Sequence, residues 1–378
     1  MKPLTHTTPR NIEEIISKYI VGQKNGIRTI STALSAHISR IIYNKLHGDR
    51  IRKDLLLVCG NSGTGKTESL TVALNALDMP IPFAIVGANT LSAVGYKGRS
   101  VDSILVDLIS SAKNIISQDV FRFVDPLEFS DESKRGRAVN KAIIDLCETG
   151  IIYIDEFDKL APRNQASTDP GYAKNMINSL LKIVEGGKGF GEDELSQQID
   201  TTDILFIFSG AFADMLKPER IVYDIGFNCK ANIPAEVDVP TTKDLINYGF
   251  SLELCGRITQ RCRFYDLTED DLYKILKESR ISPIYDYQRL LDAASCHLTV
   301  EDAACSEIAK KAMEIGTGAR GLKTVLGGSI MDILYDVDGK YKNVDVVITP
   351  DVIKNNAKPL IREYNNKEPP TFYKKRTT

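Results

Sequence analysis

Leu57-Val58-Cys59-Gly60-Asn61-Ser62-Gly63-Thr64-Gly65-Lys66-Thr67 joins a short apolar run to a glycine-rich loop, then to a lysine and a hydroxyl. Leu55 and Leu56 extend the run backward, which makes the pattern of a buried strand. From Gly60 to Thr67 every fixed position of a phosphate-binding P-loop is filled. Leu70, Leu74 and Leu77 then fall on one face of a helix. The chemistry needs this order. Glycines let backbone N–H groups close around a phosphate chain, and the new helix points its positive end at that charge. The pattern puts Gly63, Thr64, Gly65 and Glu68 against the nucleotide. Lys66 reaches the β and γ phosphates, and the Thr67 hydroxyl binds Mg²⁺. Strand, loop and helix together imply a bound nucleoside triphosphate rather than an idle turn.

A second element bears on the fate of that nucleotide. Ile151, Ile152, Tyr153 and Ile154 form an apolar run that stops at Asp155-Glu156. Asp155 suits holding Mg²⁺ through water, and Glu156 suits orienting and deprotonating an attacking water. An acidic pair is by itself a weak signal, because helix N-termini also favour acids. With a P-loop upstream it predicts hydrolysis.

The 378 residues and a hydrophobic share of 43% allow two sizeable cores. A net charge of −2 gives no general pull toward nucleic acid, and the one compact basic cluster is Lys374-Lys375-Arg376 in a polar tail. Seven cysteines without a Cys-x-x-Cys pair, and four histidines, argue against zinc and for a reducing compartment. No apolar leader follows Met1-Lys2, and no run is long enough to span a bilayer. The expectation is a soluble cytoplasmic protein with neither membrane nor nucleic-acid partners.

Helical spacing predicts a helix after Thr8-Pro9, with Ile12, Ile15, Ile16, Tyr19 and Ile20 as its stripe. A second helix runs from Lys24 to Gly48. Strands are predicted at 83–86, 151–154 and 204–208, with helices between them from Ser100 and from Ala138. This alternation means an α/β fold, a parallel sheet with helices on both faces. Residues 118–137 lack a clear period and read as a surface insertion. Beyond 266 the pattern becomes mostly helical, at 267–278, 283–291, 301–315 and 320–335, with one strand at 344–348. The expected organisation is a large domain over 1–266, a small α+β lid over 267–360, and a disordered tail over 361–378.

P-loop, Asp-Glu strand and helical lid together resemble the AAA+ ATPases, and further segments narrow the resemblance to the ClpX/HslU unfoldases. Within these, the chain looks most like ClpX lacking its N-terminal zinc-binding domain. Thr8-Pro9-Arg10 and Tyr19-Ile20-Val21-Gly22-Gln23 are similar to the family's adenine-packing segment, which implies nucleotide contacts for Ile20 and Val21. Ala93-Val94-Gly95-Tyr96-Lys97-Gly98 is similar to its Gly-Tyr-Val-Gly pore loop. Tyr96 then grips an unfolded chain, with Lys97 in place of an aliphatic residue. Cys255-Gly256-Arg257 resembles the arginine-finger region, and Thr317-Gly318-Ala319-Arg320-Gly321-Leu322 the sensor-2 pattern. The resemblance therefore has Arg257 reaching a neighbouring subunit's γ-phosphate and Arg320 sensing nucleotide. Ser209 is a candidate sensor-1 residue. Ile225-Gly226-Phe227 reproduces the tripeptide by which ClpX docks on the ClpP peptidase.

The resemblance implies ATP and Mg²⁺ as cofactors and a homohexameric ring that threads protein substrates, delivering them to a ClpP-type peptidase. The departures keep a peptidase-independent remodeller of protein complexes in view. HslU's long intermediate domain is missing, and 186–198 lacks ClpX's Arg-Lys-His loop. Residues 163–172 match its second pore loop poorly. A nucleic-acid motor on the same fold is the less favoured alternative, since phosphate tracking wants clustered Lys and Arg.

Overall fold

A computed structural model describes residues 8–47, 50–77, 80–92, 99–161, 170–190, 193–216, 239–340 and 344–363. The chain divides into two compact units, Met1–Ser17 with Gln23–Tyr265, and Lys18–Gly22 with Asp266–Thr378.

The first unit is built on five parallel strands in the order Phe83–Gly87, Ile151–Asp155, Leu205–Gly210, Leu55–Cys59, Ile258–Arg263. The P-loop strand lies inside the sheet, between Leu205–Gly210 and Ile258–Arg263, and all five of its residues are buried. Leu55, Leu57 and Cys59 join one core with Ile104 and Leu108 of the helix Ile104–Gln118 and with Leu180 of the helix Pro170–Glu185. Leu56 and Val58 are equally buried and project to the opposite face, since side chains alternate along a strand. Burial on both faces explains why the strand reads as a continuous apolar run. Each fully buried Leu or Ile adds roughly 1.5–3 kcal/mol.

Three local outcomes differ from the sequence expectations. Residues 118–137 are largely exposed, yet they are not irregular. They hold two single turns, Val120–Arg122 and Pro126–Ser130, and the start of the helix Glu132–Cys147. Asp131 caps that helix by accepting from Ser133 N at 2.9 Å, so it starts six residues ahead of Ala138. Its exposed charged first turns carry no hydrophobic period, and the cap alone marks them. The strand expected at 204–208 continues through Ser209 and Gly210, because parallel pairing with Val58 and Cys59 holds them.

The second unit packs the helices Glu269–Glu278, Pro283–Ala293, Asp302–Ile315 and Ala319–Lys340 around Leu272, Ile308, Leu322 and Leu326. Among its described residues are three strands where one was expected. Val344–Ile348 lies between His297–Val300, parallel, and Leu360–Glu363, antiparallel. Residues 361–363, expected in a disordered tail, therefore belong to a sheet edge. No helix among the described residues is long and apolar enough to cross a membrane.

Candidate active site

Parallel strands bring their carboxyl ends to one edge, and in open α/β sheets ligands bind there. Here that edge holds the P-loop, Asp155-Glu156 and Ser209-Gly210. Two strand-end hydrogen bonds seat the loop. Gly60 N donates to Gly210 O at 3.1 Å, and Phe264 N to Cys59 O at 2.7 Å. Gly60 has φ +147°, and a Cβ there would lie 2.3 Å from Phe264 O, so no side chain fits. Gly65, at φ +96°, turns the chain into the helix Lys66–Ala76. The first N–H groups of that helix lack intrahelical partners and are donors for an anion.

Lys66 is buried, and its ammonium donates to Gly60 O at 2.7 Å and Asn61 O at 2.8 Å. It therefore stays at the loop. Thr67 Oγ1 lies 3.3 Å from Asp155 Oδ2 and 3.1 Å from the Tyr153 hydroxyl. Burial and the nearby Asp155 charge push the Tyr153 phenol far up, so it remains protonated. Asp155 Oδ1 accepts from Glu156 N at 2.9 Å. Glu156 is exposed and left-handed, at φ 55° and ψ 32°. That conformation costs a non-glycine residue roughly 1–3 kcal/mol, and such strain concentrates at functional sites. Ser209 pairs with Val58 in register. Its buried Oγ faces the Tyr153 hydroxyl and makes no well-formed hydrogen bond. Thr67 hydroxyl and Asp155 carboxylate are hard oxygens, a donor set that suits Mg²⁺.

Sequence reasoning passed over three residues here. Tyr153 looked like one more member of an apolar strand. Asp158 is buried and accepts from Ala211 N at 3.3 Å, fastening the turn after Glu156 to the end of the neighbouring strand. Its spacing from Asp155 was the available signal. Arg261 is fixed by Pro240 O, Thr242 Oγ1, Cys255 O and Ile258 O, and so anchors the short helix Leu252–Arg257.

Arg257 ends that helix, half exposed, and its guanidinium donates to Glu185 Oε1. It directly precedes Ile258, which pairs with Leu55 at the amino end of the P-loop strand. At about 3.3 Å per residue, the five residues of that strand separate Arg257 from its own P-loop by roughly 16 Å. Thr64 is buried in the loop and Glu68 is exposed in the first helical turn. Ile20, Val21 and Arg320 belong to the second unit, where Arg320 lies exposed at the start of Ala319–Lys340. The Tyr19 carbonyl accepts from Ser279 Oγ and the Lys18 carbonyl from Arg280 N, which fixes the segment before Ile20. Tyr96, Lys97, Ile225, Gly226 and Phe227 lie outside the described residues.

Residues 53–261 match the AAA domain (Cdc48 subfamily), and residues 267–348 match the C-terminal, D2-small domain of ClpB protein. Among curated proteins, the chain is 30% identical over 381 residues to the ATP-dependent Clp protease ATP-binding subunit ClpX of Treponema denticola, covering 95% of this chain and 85% of the relative. It is 32% identical to the subunit ClpX 2 of Wolinella succinogenes, covering 94% and 84%. The Borrelia duttonii ClpX subunit is 31% identical, with 94% and 80% covered.

Proposed function

This chain belongs to the AAA family, in its ClpX group, and from that premise we propose that it works as a homohexameric ring drawing protein substrates through its pore. It is an ATPase of the unfoldase type. One observation carries the catalytic reading, the meeting of Lys66, Thr67, Asp155 and a strained Glu156 at the carboxyl edge of one parallel sheet. In this reading the loop from Gly63 to Gly65 and the following turn, with Glu68, cradle the phosphates, and Lys66 neutralises them. Thr67 and Asp155 would hold Mg²⁺, which supplies positive charge to the phosphate oxygens. Glu156 accepts the proton of the attacking water. Ile20 and Val21 pack on the adenine, and Arg320 senses the nucleotide.

The position of Arg257 supports a role between subunits. A guanidinium one strand length from its own P-loop is badly placed for its own γ-phosphate, and half exposed beside Glu185 it is within reach of solvent and of a neighbouring subunit. The first unit, with Gln23–Tyr265, acts as the ATPase domain, and the second, with Lys18–Gly22 and the residues from Asp266, as the lid. Tyr96 and Lys97 contact the threaded substrate, and Ile225-Gly226-Phe227 docks a ClpP-type peptidase. Buried free thiols such as Cys59 and Cys147 suit a reducing cytoplasm.

Glu156→Gln tests the assignment directly. It should bind ATP, fail to turn it over, and retain substrates for affinity capture. Wild-type turnover by this variant removes Glu156 from the mechanism. For the peptidase, Phe227→Ala should lose docking with basal ATPase unchanged. If the wild-type ring binds no ClpP-type peptidase, the complex-remodelling reading takes its place.

A further inference from the structure

Tyr153 is the one polar side chain in the Ile151–Asp155 strand before Asp155, and it is 1% exposed. Its hydroxyl sits between two others, Thr67 Oγ1 at 3.1 Å and the facing Ser209 Oγ. The directions of the protons follow from valence. The Asp155 carboxylate only accepts, so the single Thr67 proton goes to Asp155 Oδ2 at 3.3 Å. The Tyr153 O–H must then be the donor to Thr67 Oγ1. Ser209 Oγ faces the Tyr153 oxygen without a well-formed hydrogen bond to it.

Around Thr67 Oγ1 three of the four tetrahedral directions are thereby taken, by its own Cβ, by the proton directed at Asp155 and by the proton from Tyr153. One lone pair remains. We propose that Tyr153 is a positioning residue for the metal–nucleotide complex, fixing the Thr67 hydroxyl so that its remaining lone pair is held for the cation. The linked groups Tyr153, Thr67 and Asp155 tie the Ile151–Asp155 strand to the P-loop helix. The inference rests on the assignment of Thr67 to Mg²⁺, and it is not required by packing, because a phenylalanine ring fills the same space.

The test is calorimetric binding of ATPγS to the full chain, with Mg²⁺ and with EDTA, for wild type, Tyr153→Phe, Thr67→Ala and the double variant. Tyr153→Phe should bind metal-free nucleotide within about twofold of wild type, which also verifies its fold. The enhancement of affinity by Mg²⁺ should drop about five- to tenfold, the usual effect of one lost hydrogen bond. Thr67→Ala should remove most of the enhancement, and adding Tyr153→Phe should then change nothing further. A wild-type Mg²⁺ enhancement in Tyr153→Phe, alongside its loss in Thr67→Ala, overturns the proposal and spares the Thr67 assignment. Full enhancement in Thr67→Ala overturns both. Should Tyr153→Phe fail the metal-free check, Tyr153→Met takes its place under the same criteria, and a wild-type Mg²⁺ enhancement there overturns the proposal.

Discussion

The two edges of the same parallel sheet are both rich in polar groups, but they are organised in opposite ways. At the amino edge, Arg40 donates to Asp203 O at 2.7 Å and to His37 Nδ1 at 3.0 Å. His37 Nε2 donates to Thr149 O at 3.1 Å, and Asn44 Nδ2 to Asp203 Oδ1 at 3.0 Å. Lys53 Nζ donates to Thr201 O at 2.6 Å and lies over the Phe206 ring. The bond to a carbonyl puts the His37 proton on Nε2, so the neutral ring satisfies both neighbours at once. Burial and the Arg40 charge hold its pKa down at about 3, and burial with Arg40 lowers Lys53 to about 7. At the carboxyl edge the polar groups sit on glycine turns, on a left-handed glutamate and on a buried serine hydroxyl with no well-formed bond. A closed network stabilises a fold, whereas strain and open valence mark chemistry.

Arg257 offers the sharpest way to break this contrast, because it flanks the amino edge and yet is assigned to catalysis. Arg257→Ala should lower ATPase about 10³-fold or more with nucleotide binding nearly intact. Mixing it with Glu156→Gln chains should restore some turnover. A complete lack of recovery in demonstrably mixed rings would return Arg257 to its own subunit. Next in size, Glu156→Gln should lower turnover about 10²- to 10⁴-fold and leave the thermal midpoint unchanged, since its side chain is exposed.

Arg40→Ala should do the reverse. Removing the buried guanidinium leaves Asp203 O and His37 Nδ1 without their donor, at a cost of about 3 kcal/mol by denaturant titration. Turnover per folded molecule should be retained. The smallest effect is the dependence on pH. The His37 pKa is lower in the folded protein than the ordinary 6.5, so its contribution is fully present above pH 6.5. It is lost as the unfolded state takes up the proton below that. Between pH 6.5 and 5 this should cost about 1–2 kcal/mol, and His37→Asn should flatten that part of the profile. An unchanged slope would mean that His37 takes up its proton equally in the folded and unfolded chain.

The P-loop, the Asp-Glu strand and the helical character of the second unit were legible in sequence because each is local. A glycine spacing, an apolar run and a 3.6-residue period are written in consecutive residues. The helix start at Glu132 was missed because its exposed first turns carry charge without period. The edge strands His297–Val300 and Leu360–Glu363 were missed because they are short and acquire their identity only by pairing with Val344–Ile348.

Sequence alone determined that a phosphate-binding loop enters a helix and that a carboxylate pair follows a buried strand, since backbone chemistry dictates both patterns locally. Tertiary structure decided which of the polar groups meet. Tyr153 and Thr67 are separated by 86 residues, and parallel pairing with the register of the central strands brings their hydroxyls to 3.1 Å. The same register carries Arg257 to the far edge of the sheet and joins Arg40 to Asp203, 163 residues away. Hydrogen bonds act over about 3 Å, so no spacing along the chain reveals them until the sheet has set the distance.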